Sequence, residues 1–126
     1  MKRCWFGLGL LVALLIGGLL VTAVMAARHD RLSTLLDRAA AAAEAGDWAE
    51  AEDRFRDAQR SWEKFWHTSA AFMDHEPMED MDCSFAQAEV FLRNRDTVAM
   101  AALCRQLARR AAAIGDAHVP HWWNLL

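Results

Sequence analysis

Residues 46–72 read GDWAEAEDRFRDAQRSWEKFWHTSAAF, and the recurrence of their apolar side chains decides the fold class. Trp48, Phe55, Trp62 and Ser69 occupy one heptad position, and Ala51, Ala58, Phe65 and Phe72 occupy another. This spacing lays a single apolar stripe along an amphipathic helix and leaves the charged residues on its other face. Gly46 suits the left-handed residue that closes a preceding helix. Asp47, followed by Glu50, forms an acidic version of the capping box and starts the next helix at Trp48. The stripe predicts a helix running to about Met73. Beyond it, Pro77 lacks the N–H that a helix interior needs and disfavours the α conformation at Glu76.

Working back from Gly46, Leu32, Leu35, Leu36, Ala39, Ala40 and Ala43 repeat at helical spacing, with no Gly or Pro between Ala27 and Gly46. Before them lie residues 5–27, which carry no charge. At 1.5 Å per residue this stretch reaches about 35 Å, enough for a hydrocarbon core of roughly 30 Å. A transmembrane helix continuing directly into the folded domain is therefore expected. A cleavable signal peptide is the alternative, with Lys2 and Arg3 as its basic start and cleavage near Ala26. The apolar part of such a peptide is usually about 7–15 residues, so the uncleaved anchor is the expectation. Counting charges near the ends balances Lys2, Arg3 and the terminal amine against Arg28, Arg31 and Arg38. A long following domain crosses largely regardless of its charge, which places the amino terminus in the cytoplasm and the domain outside. The chain divides on this reading into a basic tail (1–4), the span (5–27), a helical bundle (28–117) and an aromatic tail (118–126). Gly9, Ala13 and Gly17, and likewise Gly18, Thr22 and Ala26, recur every fourth residue and offer a route to self-association within the bilayer.

Towards the carboxyl terminus, Met78, Met81, Phe85, Ala88 and Leu92 predict a third helix to about Arg93. Asn94 and Asp96 supply the turn and the next cap. Met100, Leu103, Leu107, Ala111 and Ile114 predict a fourth helix, stopped by Gly115. The fold class is all-α: an N-terminal transmembrane helix continuing into a small antiparallel four-helix bundle. Its expected core includes Trp48, Phe55, Trp62, Phe65, Phe72, Phe85, Leu103 and Leu107. The tail holding Trp122 and Trp123 is expected to dock on the bundle end or lie at the membrane surface.

Candidate chemistry is sparse. Glu63 and His67 stand four apart on a helix, and Asp74, His75, Glu76, Glu79, Asp80 and Asp82 follow, so a metal or small ligand held by Glu63, His67 and His75 is the alternative function. Glu63, His67 and Asp74 fall on the outer face of the heptad, where a solvated acidic surface is the simpler expectation. Asp74, His75, Glu76 and Pro77 read as a structural corner, His75 bonding carboxylates or free helix-end groups. A Cys83–Cys104 bridge meets a register problem. Folding the third and fourth helices about residue 95 sets Cys83 opposite position 107, roughly 4.5 Å along the axis from Cys104. Neither a Ser/His/Asp arrangement nor a Gly-rich phosphate loop nor a Cys-x-x-Cys pair occurs, and no enzyme activity or cofactor is expected. From Arg28 onwards 12 Lys and Arg face 17 Asp and Glu, a net charge of −5 that offers no general surface for nucleic acid. The expected partners are the lipid bilayer and another membrane or exported protein.

Gly46, Asp47 and Trp48 with Ala51, Phe55 and Ala58 resemble the second helix of one tetratricopeptide repeat, a fold that needs about three units to bury its faces. A broader resemblance covers nearly the whole chain. It rests on the basic amino terminus, one span, Gly46-Asp47-Trp48 before a Trp-rich helix, Asp74-His75-Glu76 with Asp80 after it, a final helical pair, and Asn124-Leu125-Leu126. These features resemble the small bacterial family known as domain of unknown function 4363. The resemblance implies a membrane-anchored helical protein and assigns no catalytic residue. Pro77 and the Trp122-Trp123 pair depart from its pattern.

Overall fold

The computed structural model describes the backbone of residues 2–69 and 75–117 and the side chains of residues 5–67 and 78–114. It holds four helices, α1 (Lys2–Glu44), α2 (Trp48–Ser69), α3 (His75–Asn94) and α4 (Thr97–Ala117), and no strand among the described residues. Neighbours in sequence run antiparallel, and α4 closes the ring against α1. The chain is thus an up-down-up-down bundle with one helix far longer than the rest.

The two turns at the far end of the bundle share one geometry. After α1, the N–H of Gly46 donates to the Ala43 carbonyl at 3.1 Å and that of Asp47 to the Ala42 carbonyl at 2.9 Å, with Gly46 at φ 77°. After α3, the N–H of Arg95 donates to Leu92 at 3.2 Å and that of Asp96 to Phe91 at 3.0 Å, with Arg95 at φ 52°. Both are Schellman closures, which satisfy the last carbonyls of a helix by one left-handed residue. Each is followed by a capping aspartate: Asp47 Oδ1 accepts from the Glu50 N–H at 3.1 Å, and Asp96 Oδ1 from the Ala99 N–H at 3.0 Å. The sequence suggested Asn94 for the turn, but Asn94 ends the helix and Arg95 takes the left-handed position. The reciprocal half of the capping box is also missing. The Asp47 N–H is already used by Ala42, and Glu50 Oε1 accepts instead from Arg54 Nε at 2.6 Å.

These turns yield a paired expectation. Nothing lies within 4 Å of a Cβ built on Gly46, so Gly46→Ala meets only the backbone penalty and should cost about 1 kcal/mol. Arg95→Gly removes the same penalty and should raise stability by about 0.5–1 kcal/mol after the added flexibility of the unfolded chain is deducted. Denaturant melts of the two single variants measure both, and opposite signs are expected.

The core is built from facing stripes. Leu32, Leu35, Leu36, Ala39, Ala40 and Ala43 of α1 are buried, with Ala51, Phe55, Ala58, Trp62 and Phe65 of α2. Met78, Met81, Phe85, Ala88 and Leu92 of α3 join Met100, Leu103, Cys104, Leu107, Ala108 and Ala111 of α4. Backbone proximity is most extensive between α1 and α4 and least between α2 and α3. Side-chain size accounts for the difference. Alanines at the core positions of α1 and α4 let the axes approach, whereas α2 and α3 are held apart by rings that fill the gap. Phe55 and Phe85 have centroids 5.7 Å apart, and Trp62 lies 6.3 Å from Phe85. The indole N–H of Trp62 donates to Asp82 Oδ1 at 2.6 Å, so its one polar atom is satisfied across the α2–α3 gap.

Several expected boundaries and positions are corrected. Glu76 and Pro77 lie inside α3, where proline in a first turn removes no needed hydrogen bond. Gly115 does not stop α4, which continues to Ala117; an isolated glycine weakens a helix by about 1 kcal/mol without forcing its end. Trp48 is half-buried at the rim of the core, because the first residue of α2 sits at the open end of the bundle. The expected end of α2 near Met73, the side chains of Phe72, Asp74, His75, Glu76 and Pro77, and the tail 118–126 lie outside the described residues.

Candidate functional site

The base of the bundle, where the apolar half of α1 emerges, carries the most distinctive arrangement. Within the apolar stretch, Trp5, Phe6, Leu14 and Leu20 are 65–84% exposed. One turn into the bundle Leu32 is buried. The change occurs without a break in the helix, which is 43 residues or about 65 Å long. Over Trp5–Glu44 the helix is long and apolar enough to cross a membrane. Within residues 5–27 the one hydroxyl, on Thr22, donates back to the Gly18 carbonyl at 2.8 Å, so this stretch exposes little unsatisfied polarity. The stripe Gly9, Ala13 and Gly17 has open space in front of both glycines.

Where α1 meets α2, His29 is 3% exposed, and its ring stands edge-on to Phe65 with centroids 4.7 Å apart. Met25 and Trp66 pack against the same end of the core. Beside this plug a groove of about 400 Å³ is lined by Arg28, Arg31, Ser61, Lys64, Phe65 and His67. Arg28 and Arg31 are one turn apart on α1, while Ser61, Lys64 and Phe65 are one turn apart on α2, which is why the two helices can present them to one space. No carboxylate among the described residues lines the groove or pairs with Arg28 or Arg31.

The sequence treated these groups differently. In the sequence Arg28 and Arg31 count as charges flanking the apolar stretch, and no local pattern marks His29. Periodicity finds a stripe on one helix; it does not reveal that residues 30 or more positions apart share a groove. The charge pattern carried one usable signal, two arginines at helical spacing directly after an apolar run. Of the metal candidates, Glu63 and His67 are exposed on α2, and His67 borders the cationic groove. Among the described residues no three His, Cys, Asp or Glu side chains come together as a ligand set.

Of the three cysteines, the two whose side chains are described are free, Cys83 exposed and Cys104 buried. Burial pushes the Cys104 thiol from its ordinary 9.0 up to about 12, and its sulfur lies 3.9 Å from Met100 Sδ. It stays protonated and is a poor nucleophile. Because the folded value lies above the unfolded one, Cys104 contributes stability that is intact below about pH 9 and lost as pH rises towards 12. At pH 8 a thiol reagent followed by peptide mapping should modify Cys83 rapidly and Cys104 only on unfolding.

Elsewhere, ion pairs join the helices at the surface. Arg105 holds Glu44 through two bonds of 2.6 Å, and Arg56 reaches Glu89 at 3.2 Å. The Arg105 guanidinium is raised by its hydrogen bond to Glu44 and then by that carboxylate's charge. The exposed Arg105–Glu44 pair aligns α1 with α4 more than it stabilises them, and the half-buried Arg56–Glu89 pair joins α2 to α3. A second groove of about 360 Å³, lined by Trp48, Glu52, Arg56, Arg93 and Arg95 among others, lies at the far end. It mixes both signs of charge.

No curated protein and no solved structure matches this chain. One family does, over residues 19–125, a stretch that begins within the apolar half of α1 and takes in all the helices that follow. By that match the chain belongs to the family described as Domain of unknown function (DUF4363).

Proposed function

We propose that this chain is a single-span protein of the cell membrane, its amino terminus in the cytoplasm and its bundle outside, and that the bundle is an interaction or structural module with no catalysis of its own. The observation that supports it is the double character of α1: one unbroken helix supplies both an exposed apolar segment and a buried wall of the bundle. Such a helix transmits orientation. A bundle rooted this way stands at a fixed height and tilt above the lipid, as suits a docking platform for another membrane or exported protein. Met25 packs against the core, so cleavage near Ala26 would take a core contact away with the leader, which favours the uncleaved anchor over a secreted form. Gly9, Ala13 and Gly17 leave self-association through the span as a further use of the same helix.

Topology is tested with single-cysteine chains that lack the native thiols. A membrane-impermeant maleimide applied to intact cells should label a cysteine placed at Ala117 and spare one placed at Lys2; the reverse pattern would invert the assignment. Function is tested by crosslinking in membranes followed by affinity purification, where repeated recovery of one membrane or exported protein is expected. A melting temperature that rises with zinc and falls back with chelator would replace this reading by the ligand-binding one.

A further inference from the structure

We propose that the groove between α1 and α2 at the base of the bundle holds the phosphate of an anionic phospholipid, an inference that rests on the membrane span proposed above. The first argument is depth. If residues 5–27 cross a hydrocarbon core of roughly 30 Å, Arg28 stands at its surface and Arg31 about 4.5 Å higher. Both then lie within the headgroup layer, which is about 5–7 Å thick on each side. Lys64, His67 and Ser61 line the same groove from α2.

The second argument is chemistry. Arg28 and Arg31 line the groove together with Ser61, Lys64 and His67, and no carboxylate is among its described lining. Guanidinium forks match the geometry of phosphate oxygens and bind them through paired N–H donors. The apolar floor is Phe65, 5% exposed and braced by the edge-on ring of His29, so the site joins a cationic rim to a greasy base. A phospholipid offers the complement, an anion joined to an apolar chain. The bundle as a whole is acidic, which sets this groove apart from the surface around it and from the far-end groove with its mixed charge. Seating a lipid there would fix the rotation of the bundle about the axis of α1 as well as its height.

The test uses the full chain. Carbonate washing of vesicles comes first, and the chain should resist it. Native mass spectrometry from micelles containing equal phosphatidylglycerol and phosphatidylcholine should then show preferential retention of phosphatidylglycerol. Arg28→Gln with Arg31→Gln should cut that preference at least about five-fold, the change expected for losing even one basic contact with an anionic surface. Arg93→Gln with Arg95→Gln removes the same charge at the far end and should leave it unchanged. An undiminished preference in the first pair, or an equal loss in both, overturns the groove while the span stands. Extraction by carbonate overturns the span and the lipid assignment together. If inorganic phosphate in lipid-free micelles raises the melting temperature of the parent but not of the Arg28/Arg31 variant, the site belongs to a soluble anion and the lipid assignment falls.

Discussion

Trp62→Ala is expected to cost about 3–5 kcal/mol, which is most of the stability of a bundle this small. Trp62 is 2% exposed and is among the largest of the fully buried side chains. It touches Phe65, with centroids 5.5 Å apart, and Phe85, so its removal empties space between α2 and α3. Backbones held apart by rings close poorly when one ring is lost, and the penalty grows with the cavity that remains. The hydrogen bond to Asp82 adds a smaller share, because Asp82 is exposed and water can replace the indole. Trp62→Phe separates the two contributions and should cost about 1–2 kcal/mol. Denaturant unfolding of the full chain in neutral micelles measures both. A Trp62→Ala protein that keeps its midpoint would place this side chain outside the core.

Thr34→Pro is expected to cost about 3 kcal/mol or more, and to do so from an exposed position. Thr34 lies in the stretch of α1 that carries the helix from its apolar half into the core, with Leu32, Leu35 and Leu36 buried on either side. Proline there removes one backbone hydrogen bond and clashes with the carbonyl of Asp30, which at present also accepts the Thr34 hydroxyl at 2.8 Å. No core atom is lost, so the cost reports the continuity of the helix alone. Thr34→Ala should be neutral or slightly stabilising, since alanine is the better helix former. If the proline variant melts with the parent, α1 is already broken near this point and the bundle does not depend on its continuity.

Much of this architecture is written in local patterns. The four helices, the unbroken passage from the apolar stretch into the bundle, and the roles of Gly46, Asp47 and Asp96 follow from periodicity and capping chemistry, which act over three or four residues. Where the sequence misleads, a local rule has met a stronger local neighbour. Arg95 takes the left-handed position because Asp96 must cap α4, which leaves Asn94 in the last turn of α3. Glu50 turns from the capping box to Arg54, four residues on, because a charged partner outcompetes a backbone N–H that Ala42 already satisfies. Pro77 enters α3 at the one end where proline is harmless. The basic groove, the His29–Phe65 plug and the Trp62–Asp82 bond were not legible. Each depends on residues 20 or more apart meeting across two helices, and no single-helix pattern encodes that meeting.

One helix without a hinge supplies both the apolar segment, proposed to span the membrane, and a wall of the core. Hydrogen exchange of the full chain in lipid nanodiscs, resolved to single amides across residues 8–43, tests it most directly. Unbroken protection is expected through residues 25–31, where the exposed apolar segment gives way to the buried stripe. A run of rapidly exchanging amides within residues 25–31, flanked by protected segments on both sides, would contradict it, because the span and the bundle would then be separate bodies joined by a flexible link.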